Sequence, residues 1–452
     1  MDLRTAVEYY HELLSDNEVA AASLAMLDEQ LESSKLIFGG RRLTPYLRPH
    51  FVRRSDWKRV VAICETVFGA LQKVKDAALE DENILNELGL TEIEKDLIRI
   101  NPGYSHVSPT ARLDSFLTDD AYSFVELNGE SPAGIAFSDS ATEIFKQLPV
   151  MRRFAERYTY SGLEGRSKMR QVLLDCYEEY LGHKPETPPT IAIVDLKDLP
   201  TIKEFELFRD HFNENGLQAV ICTPEDLSFE GSRLMCGELE IDVVYKRLLV
   251  NEYLPIADEY PALLDAYRDG KVCMVNSFCG KLVHKKAVFS ILTDERYTQL
   301  FNDIELDAIR LHIPWTRNFT SRETRYSNEE VDLVEWTREN SSKLVLKPND
   351  DYGGHGIFIG WNSDPSEWDE AIEVALADGD YLVQERVPTA KEVFPMITDD
   401  SGNWQLTEQL VDLDPLLFTG KVGSAFTRLS SSELANVTAG GGMVPTFIIE
   451  DE

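Results

Sequence analysis

The densest chemistry in the chain lies in Lys347-Pro348-Asn349-Asp350-Asp351-Tyr352-Gly353-Gly354-His355-Gly356. Three glycines in four residues let backbone N–H groups come close to a ligand, a geometry suited to anions. Lys347 ends the apolar run KLVLK, where its ammonium can meet a phosphate. The run after the loop, GIFIGW, is also strand-like, so the loop should close a hairpin. GxxxxGK[ST] is absent, which excludes a Walker-type loop. The same residues are equally compatible with a flexible turn beside a solvated lysine.

A second group is Phe124-Val125-Glu126-Leu127-Asn128-Gly129-Glu130-Ser131-Pro132-Ala133-Gly134. Residues two apart on a strand share a face, so Glu126 and Asn128 would present two hard oxygen ligands together. Asp114, on a preceding strand candidate, joins them if the two strands form a hairpin. Carboxylate and amide oxygens suit Mg²⁺, which keeps waters and bridges phosphates. A polar strand end leading into a turn is the plainer reading. Tyr381-Leu382-Val383-Gln384-Glu385-Arg386-Val387, followed by Glu392, can offer backbone and carboxylate groups to a purine edge, or can be an edge strand with surface acids. His284-Lys285-Lys286 sits on an apolar helix candidate and gains meaning only with the other three groups.

These residues need elements to hold them. Residues 1 to about 100 read as helical, with Val60, Val61, Ile63, Val67, Phe68, Leu71 and Val74 on one apolar face. Asn101-Pro102-Gly103 interrupts the pattern. RLDSFL and YSFVELN are strands around a turn at Thr118-Asp119-Asp120, followed by a helix capped by Ser138 or Asp139. Residues 190–280 alternate strand and helix (TIAIVDL, IKEFELFRDHFNEN closed by Gly216, LQAVICT, DVVYKRLLV, KVCMVNS), an α/β layer with parallel pairing. KLVHKKAVFSILT is one short amphipathic helix and EEVDLVEWTREN another. SEWDEAIEVALADG is a further helix, and KEVFPMI, NWQLTEQLVDL and MVPTFII are strands, the last after Ala439-Gly440-Gly441-Gly442.

With 452 residues the chain is long enough for two or three lobes. Its 45 basic and 79 acidic residues give a formal charge of −34, which argues against nucleic acid or anionic lipid as partner. No apolar run approaches the roughly 18 residues of a membrane span, and the N-terminus lacks a secretory h-region. Six cysteines without a CxxC pair read as reduced thiols, so the expectation is a cytoplasmic chain. Nothing in the sequence sets an oligomeric state.

Together, ELNGESPAG with RLD before it, then NSFCGKLVHKKAVFSIL, VLKPNDDYGGHG and LVQERV, resemble the circularly permuted ATP-grasp family, the group that includes glutathionylspermidine-synthetase-like proteins. The order carries the resemblance: the acidic metal segment precedes the lysines and the glycine loop. DVVYKR and the tail FTRLSSSELANVTAGGG also look like that group, so the likeness covers roughly residues 101–445. It implies an α/β fold with α+β lobes: a helical region at 1–100, a metal-binding part at 101–185, a Rossmann-like pre-ATP-grasp subdomain at 186–280, an ATP-binding lobe at 281–390 and a completing part at 391–452.

The resemblance also implies roles. Lys286 and Lys347 would hold the α- and β-phosphates, with Lys285 a competitor one residue out of register. Gly353, Gly354 and Gly356 would close over the γ-phosphate. Glu385 would take the adenine amino group, with the backbone of Arg386 and Val387 nearby, and Glu392 the ribose. Asp114, Glu126 and Asn128 would hold Mg²⁺, Arg428 and Arg112 would sit near the transferring phosphoryl group, and Arg247 would anchor a substrate carboxylate. Asp350 and Asp351 depart from comfort beside a triphosphate, and either point outward or sit near metal. The implied reaction is ATP-dependent joining of a carboxylate to an amine through an acylphosphate, with release of ADP. A nucleotide-binding protein of the same fold without ligase chemistry is the alternative. A Rossmann-type NAD enzyme built on TIAIVDL is excluded by the missing GxGxxG.

Overall fold

The computed structural model describes residues 2–34, 36–38, 41–351, 353–399, 402–432 and 441–451. Tyr352 of the glycine loop, and 433–440 of the tail SSSELANVTAGGG, lie outside the described residues.

The largest sheet is antiparallel. Its order is Gly442–Val444, Lys421–Ser430, Trp404–Phe418, Thr110–Leu117 and Tyr122–Asn128, and Ala390–Ile397 pairs with the first half of Trp404–Phe418. The expected hairpin forms: Thr118 N–H donates to the Ala121 carbonyl at 2.8 Å, and Asp114 pairs with Glu126 and Arg112 with Asn128. Alternation gives the sheet two faces. Ala111, Leu113, Leu413, Leu417 and Ala425 pack on the helix Arg54–Glu80, whose buried residues include Val60, Val67, Phe68, Leu71 and Val74. Val61 and Ile63, expected on that stripe, are only partly buried against it. The opposite face carries Arg112, Asp114, Glu126, Asn128, Asp412 and Arg428.

The first hundred residues are not helical throughout. His50–Arg53 is a strand, paired in parallel with Thr446–Ile449, which also pairs with Tyr160–Gly162. The region 1–100, expected to be helical, thus contributes a strand that pairs with Thr446–Ile449. The helix expected to begin near Ser138 runs Ile135–Gln147. Its first turn is capped from outside: Gly134 N–H (φ +100°) and Ala136 N–H both donate to Glu204 Oε1, at 2.8 and 3.0 Å.

Residues 190–280 build the expected parallel sheet, in the order Cys273–Val275, Val243–Lys246, Thr190–Val194, Gln218–Cys222. Phe205, Phe208 and Phe212 recur along Ile202–Glu214 and bury one helix face against it. Two features differ from expectation. Leu227–Glu230, Arg233–Cys236 and Leu239–Glu240 insert an antiparallel meander, turning at Gly231-Ser232 and Gly237 with positive φ. The end of DVVYKRLLV leaves the sheet, and Val250–Tyr253 is a helical turn.

A smaller antiparallel sheet, Thr316–Asn318, Tyr381–Glu385, Leu344–Pro348, Phe358–Ile359, is covered by Pro365–Asp378 through Trp368, Ala371, Ile372 and Ala375. EEVDLVEWTREN is not one helix. Ser327 and Asn328, at φ +50° and +70°, turn a hairpin of Glu323–Tyr326 with Glu329–Asp332, and the helix is Leu333–Glu339. KLVHKKAVFSILT is also broken, into Lys281–His284 and Val288–Thr293. Asn349 explains the break: its carbonyl accepts from Lys286 N–H at 3.1 Å, and its Oδ1 from Ala287 N–H at 2.9 Å. Both pieces are buried along almost their whole length rather than amphipathic.

Candidate functional site

The polar face of the large sheet, the small sheet with its glycine loop, and the C-terminal ends of two parallel strands enclose one cleft of about 560 Å³. Lys286, Lys347, Gly353, Gly354, Glu385, Arg386, Val387, Asp114, Glu126, Asn128, Arg112, Arg428 and Arg247 all line it. One end is apolar, with Val345, Ile357, Ile359 and Trp361 close to Glu385, Arg386 and Val387. The other end carries Asp195 and Arg247, each just past a parallel strand, with Leu199 to Thr201 and Glu252. Crevices outside the carboxyl ends of parallel strands are common ligand positions.

The glycine loop does what its composition requires. It joins Leu344–Pro348 to Phe358–Ile359, which pair antiparallel, and Gly353, Gly354 and Gly356 sit at φ +72°, +81° and +66°, where a Cβ is strained. Gly353 and Gly354 face the cleft. Gly356 does not line it; a Cβ there would meet Pro348 Cγ and Tyr381 Oη at 2.8 Å.

Lys347 reaches across to the large sheet. A register shift beside Asp114 leaves Val125 without a partner between the pairs Asp114–Glu126 and Ser115–Phe124, and its carbonyl accepts from Lys347 Nζ at 2.8 Å. Burial pushes the Lys347 ammonium down from 10.5 to about 8, against the opposing pull of Glu126 and with the help of nearby Lys286. Lys286 donates to the Asp351 carbonyl at 2.5 Å and lies 3.5 Å from Glu126.

Lys285 points elsewhere. It pairs with Asp350 at 2.9 Å, and Lys281 pairs with Asp350 at 2.7 Å and Glu130 at 2.8 Å. Glu94 lies 3.7 Å from both lysines, and Lys246 lies 3.7 Å from Glu130. Burial opposes ionisation of Asp350, yet Lys281 and Lys285 outweigh it and hold the carboxyl far below its usual range. His284, buried beside them, is lowered to about 4 by desolvation despite Glu130, so it stays neutral. Asp350 thus turns away from the cleft, whereas Asp351 lines it.

Arg112 and Arg428 stand among three acids. Arg112 donates to both oxygens of Asp114 at 2.8 and 3.0 Å, and Arg428 donates to Asp114 at 2.5 Å and to Asp412, and lies 3.0 Å from Asp414. Asn128 also donates to Asp114, at 2.9 Å, and to Glu126, at 3.4 Å. Burial disfavours the Asp114 carboxylate, but the two guanidiniums prevail and lower its pKa strongly. Asp414, deeper still, is pushed well up by desolvation against the opposing Arg428. Glu126 and Asn128 offer oxygens to the cleft, and Asp412 Oδ1 is buried with no hydrogen-bond partner among the described residues. This donor set fits a hard divalent cation at Glu126 and Asn128. Asp114, expected as the third ligand, accepts from Arg112, Arg428 and Asn128 in this structure and lies with Asp412 and Asp414 in an acidic cluster whose carboxylate oxygens are within 4.8 Å of one another. Asp412 and Asp414 were not singled out from sequence, although two acids two apart in the apolar run LVDLDPLL are a visible anomaly.

Two expected residues are engaged elsewhere. Glu392 does not line the cleft; it pairs with fully buried Arg48 at 2.9 Å and His50 at 3.3 Å. Its strand, Ala390–Ile397, faces the segment 45–50, which sequence spacing could not reveal. Arg247 lines the cleft, but Nη1 already donates to the Pro132 carbonyl (2.8 Å) and Tyr245 Oη (3.1 Å), and Nη2 is 3.6 Å from Glu204.

No protein-family model matches the chain. It is 27% identical over 219 residues to a Frankia alni protein named "Putative glutamate--cysteine ligase 2-3"; the stretch is 46% of this chain, and the chain spans only 23% of that relative's length. Among solved structures it resembles a glutathione synthetase-like effector from Globodera pallida, with a TM-score of 0.61 and 15% identity, covering 95% of this chain and 96% of the other. At that identity the likeness defines a shared mixed α/β fold. No described helix is long and apolar enough to cross a membrane.

Proposed function

We propose that the chain is an ATP- and Mg²⁺-dependent carboxylate–amine ligase of circularly permuted ATP-grasp architecture. The observation that carries this reading is one cleft joining two buried lysines and a glycine loop on one wall to acids and arginines on the other. Residues 101–185, 281–390 and 391–452 supply the nucleotide site, 186–280 the far end of the cleft, and 1–100 a buttress behind the large sheet. The names glutamate–cysteine ligase and glutathione synthetase-like, borne by the relatives, agree with this class.

Lys286 and Lys347 neutralise phosphate oxygens, and Lys347 exchanges the Val125 carbonyl for one of them. Gly353 and Gly354 bring backbone N–H groups over the terminal phosphate. The base lies among Val345, Ile359 and Val387, with Glu385 accepting from its amino group. Glu126 and Asn128 would hold a divalent cation, which would offset negative charge on the triphosphate. Arg428 and Arg112, fixed by Asp114, Asp412 and Asp414, direct charge at the transferring group without reorganising. A substrate carboxylate oxygen attacks the γ-phosphorus as the bond to the ADP oxygen breaks. The amine then adds to the acyl carbon, loses a proton, and phosphate departs. Positioning and charge suffice for phosphoryl transfer, so no side-chain nucleophile is needed.

The test is ADP release from the intact chain with Mg²⁺-ATP and pooled carboxylates and amines, compared with Glu126→Gln. The variant should keep its melting temperature, bind ATP with modest loss, and turn over at least about a hundredfold more slowly. A folded Glu126→Gln protein with normal ADP release removes the metal assignment. Nucleotide binding with no ADP release from any pool would support a binding protein in place of a ligase.

A further inference from the structure

Beside the apolar end of the cleft hangs the hairpin Glu323–Tyr326 with Glu329–Asp332, a two-stranded sheet of its own. It is fastened to the small sheet by aromatic and polar contacts. Tyr326, Trp315 and Trp336 form a trio with ring centroids 4.3–5.4 Å apart, and Trp315 Nε1 donates to the Arg325 carbonyl at 2.9 Å. Arg317, fully buried, donates to Thr324 Oγ1 at 2.9 Å. At the end of this clasp the Tyr326 hydroxyl donates to Glu385 Oε1 at 2.7 Å. Glu385 N–H in turn donates to the Trp315 carbonyl at 2.9 Å, extending the ladder between Thr316–Asn318 and Tyr381–Glu385, so the small sheet holds the backbone while the hairpin holds the side chain. Tyr326 does not line the cleft, whereas Glu385 does.

We propose that Tyr326 is a positioning residue that sets base discrimination, by locking Glu385 with one carboxylate oxygen occupied and the other presented to the cleft. The inference rests on the reading of the cleft as a nucleoside triphosphate site. An ionised carboxylate only accepts hydrogen bonds. With Oε1 taken, the remaining oxygen rewards a 6-amino purine, which donates there, and rejects a 6-oxo purine, which brings an acceptor against it. A site built around a buried polar partner discriminates strongly because the wrong ligand leaves that partner unpaired. Burial and the bond to Glu385 push the Tyr326 hydroxyl up to about 12, so it remains a donor across the working pH range.

Tyr326→Phe keeps the ring in the trio and deletes only the donor. Calorimetric titration with Mg²⁺-ATP and Mg²⁺-inosine triphosphate measures the consequence, with melting temperature on the same samples. Wild type should prefer ATP by more than about tenfold. Tyr326→Phe should lose about 5- to 20-fold in ATP affinity and little in inosine triphosphate affinity, collapsing the ratio with folding intact. Glu385→Gln, whose amide can donate to a 6-oxo group, should narrow or reverse the ratio. An unchanged ratio in Tyr326→Phe, or a loss of melting temperature alone, overturns the role of Tyr326 while leaving the nucleotide site standing. Wild type that binds both triphosphates equally also overturns it. Wild type that binds neither overturns the nucleotide reading together with the proposal.

Discussion

Two groups of lysines, which meet in sequence at Lys285 and Lys286, face opposite chemistry. Below the glycine loop, Lys246, Lys281 and Lys285 meet Glu94, Glu130 and Asp350, and charge is matched one for one. On the cleft side, Lys286 and Lys347 share Glu126 and otherwise donate to the carbonyls of Asp351 and Val125. Carbonyl dipoles soften the cost of burying an ammonium without cancelling its charge. The lower group fixes the loop's base to the helices beneath it, and the upper group places two ammonium groups on the wall of the cleft. Adjacent residues of one sequence, Lys285 and Lys286, fall on either side of this division because the helix breaks between them.

The sharpest way to break the comparison is Asp350→Ala. Two buried ammonium groups would lose their shared partner, so denaturant unfolding should show a loss of about 3–5 kcal/mol. A variant as stable as wild type would mean the lower network does not hold the loop. Next come Lys347→Ala and Lys286→Ala, each expected to weaken ATP binding by about 2–3 kcal/mol, or roughly 30- to 150-fold, by calorimetry. Lys285→Ala should instead lower the melting temperature while its folded fraction keeps near-normal affinity. The opposite pattern would exchange the two roles.

Glu392→Gln extends the contrast to a site off the cleft. Burial opposes its ionisation, but His50 and Arg48 hold its pKa at about 2, down from 4.5. A depressed carboxyl contributes stability that is full above pH 4.5 and is lost as pH falls towards 2. The variant should therefore be less stable at neutral pH by about 1–3 kcal/mol, discounted for partial exposure, and lose less on acidification, with ATP affinity unchanged. Altered ATP affinity would return Glu392 to the ribose. The mildest effect is on pH dependence. With Lys347 at about 8 in place of 10.5, the empty protein gains stability from this group as pH rises from 8 towards 10.5. Triphosphate binding needs the ammonium, so affinity should fall by up to about tenfold per pH unit above 8, and Lys347→Arg should flatten the fall. Equal slopes in both proteins would separate Lys347 from phosphate.

The sequence displayed whatever was local and repetitive. Alternation in RLDSFL and YSFVELN was enough to pair Asp114 with Glu126, and glycine spacing marked a loop that does turn through three positive φ values. What escaped depended on distant partners. KLVHKKAVFSILT has a helical pattern throughout, and only Asn349, more than sixty residues away, diverts two of its N–H groups. Arg48 and His50 claim Glu392 across more than three hundred residues. The Val125 carbonyl is free to accept from Lys347 because of one residue of extra length in a strand whose composition gives no sign of it. The 323–332 hairpin was hidden because EEVD continues the helical pattern of LVEWTRE, and the left-handed Ser327-Asn328 turn was the signal available.

The parallel pairing of His50–Arg53 with Thr446–Ile449 sets a timetable as well as a shape. During synthesis the earlier strand leaves the ribosome with one edge unmatched, and its partner follows about 400 residues later. At ordinary translation rates that interval is roughly 20 to 80 s. The Arg54–Glu80 helix can form at once, but the sheet at its back cannot close until Thr446–Ile449 arrives. Pulse-labelled nascent chains should therefore gain protease resistance around residues 50–80 only after Thr446–Ile449 has left the ribosome.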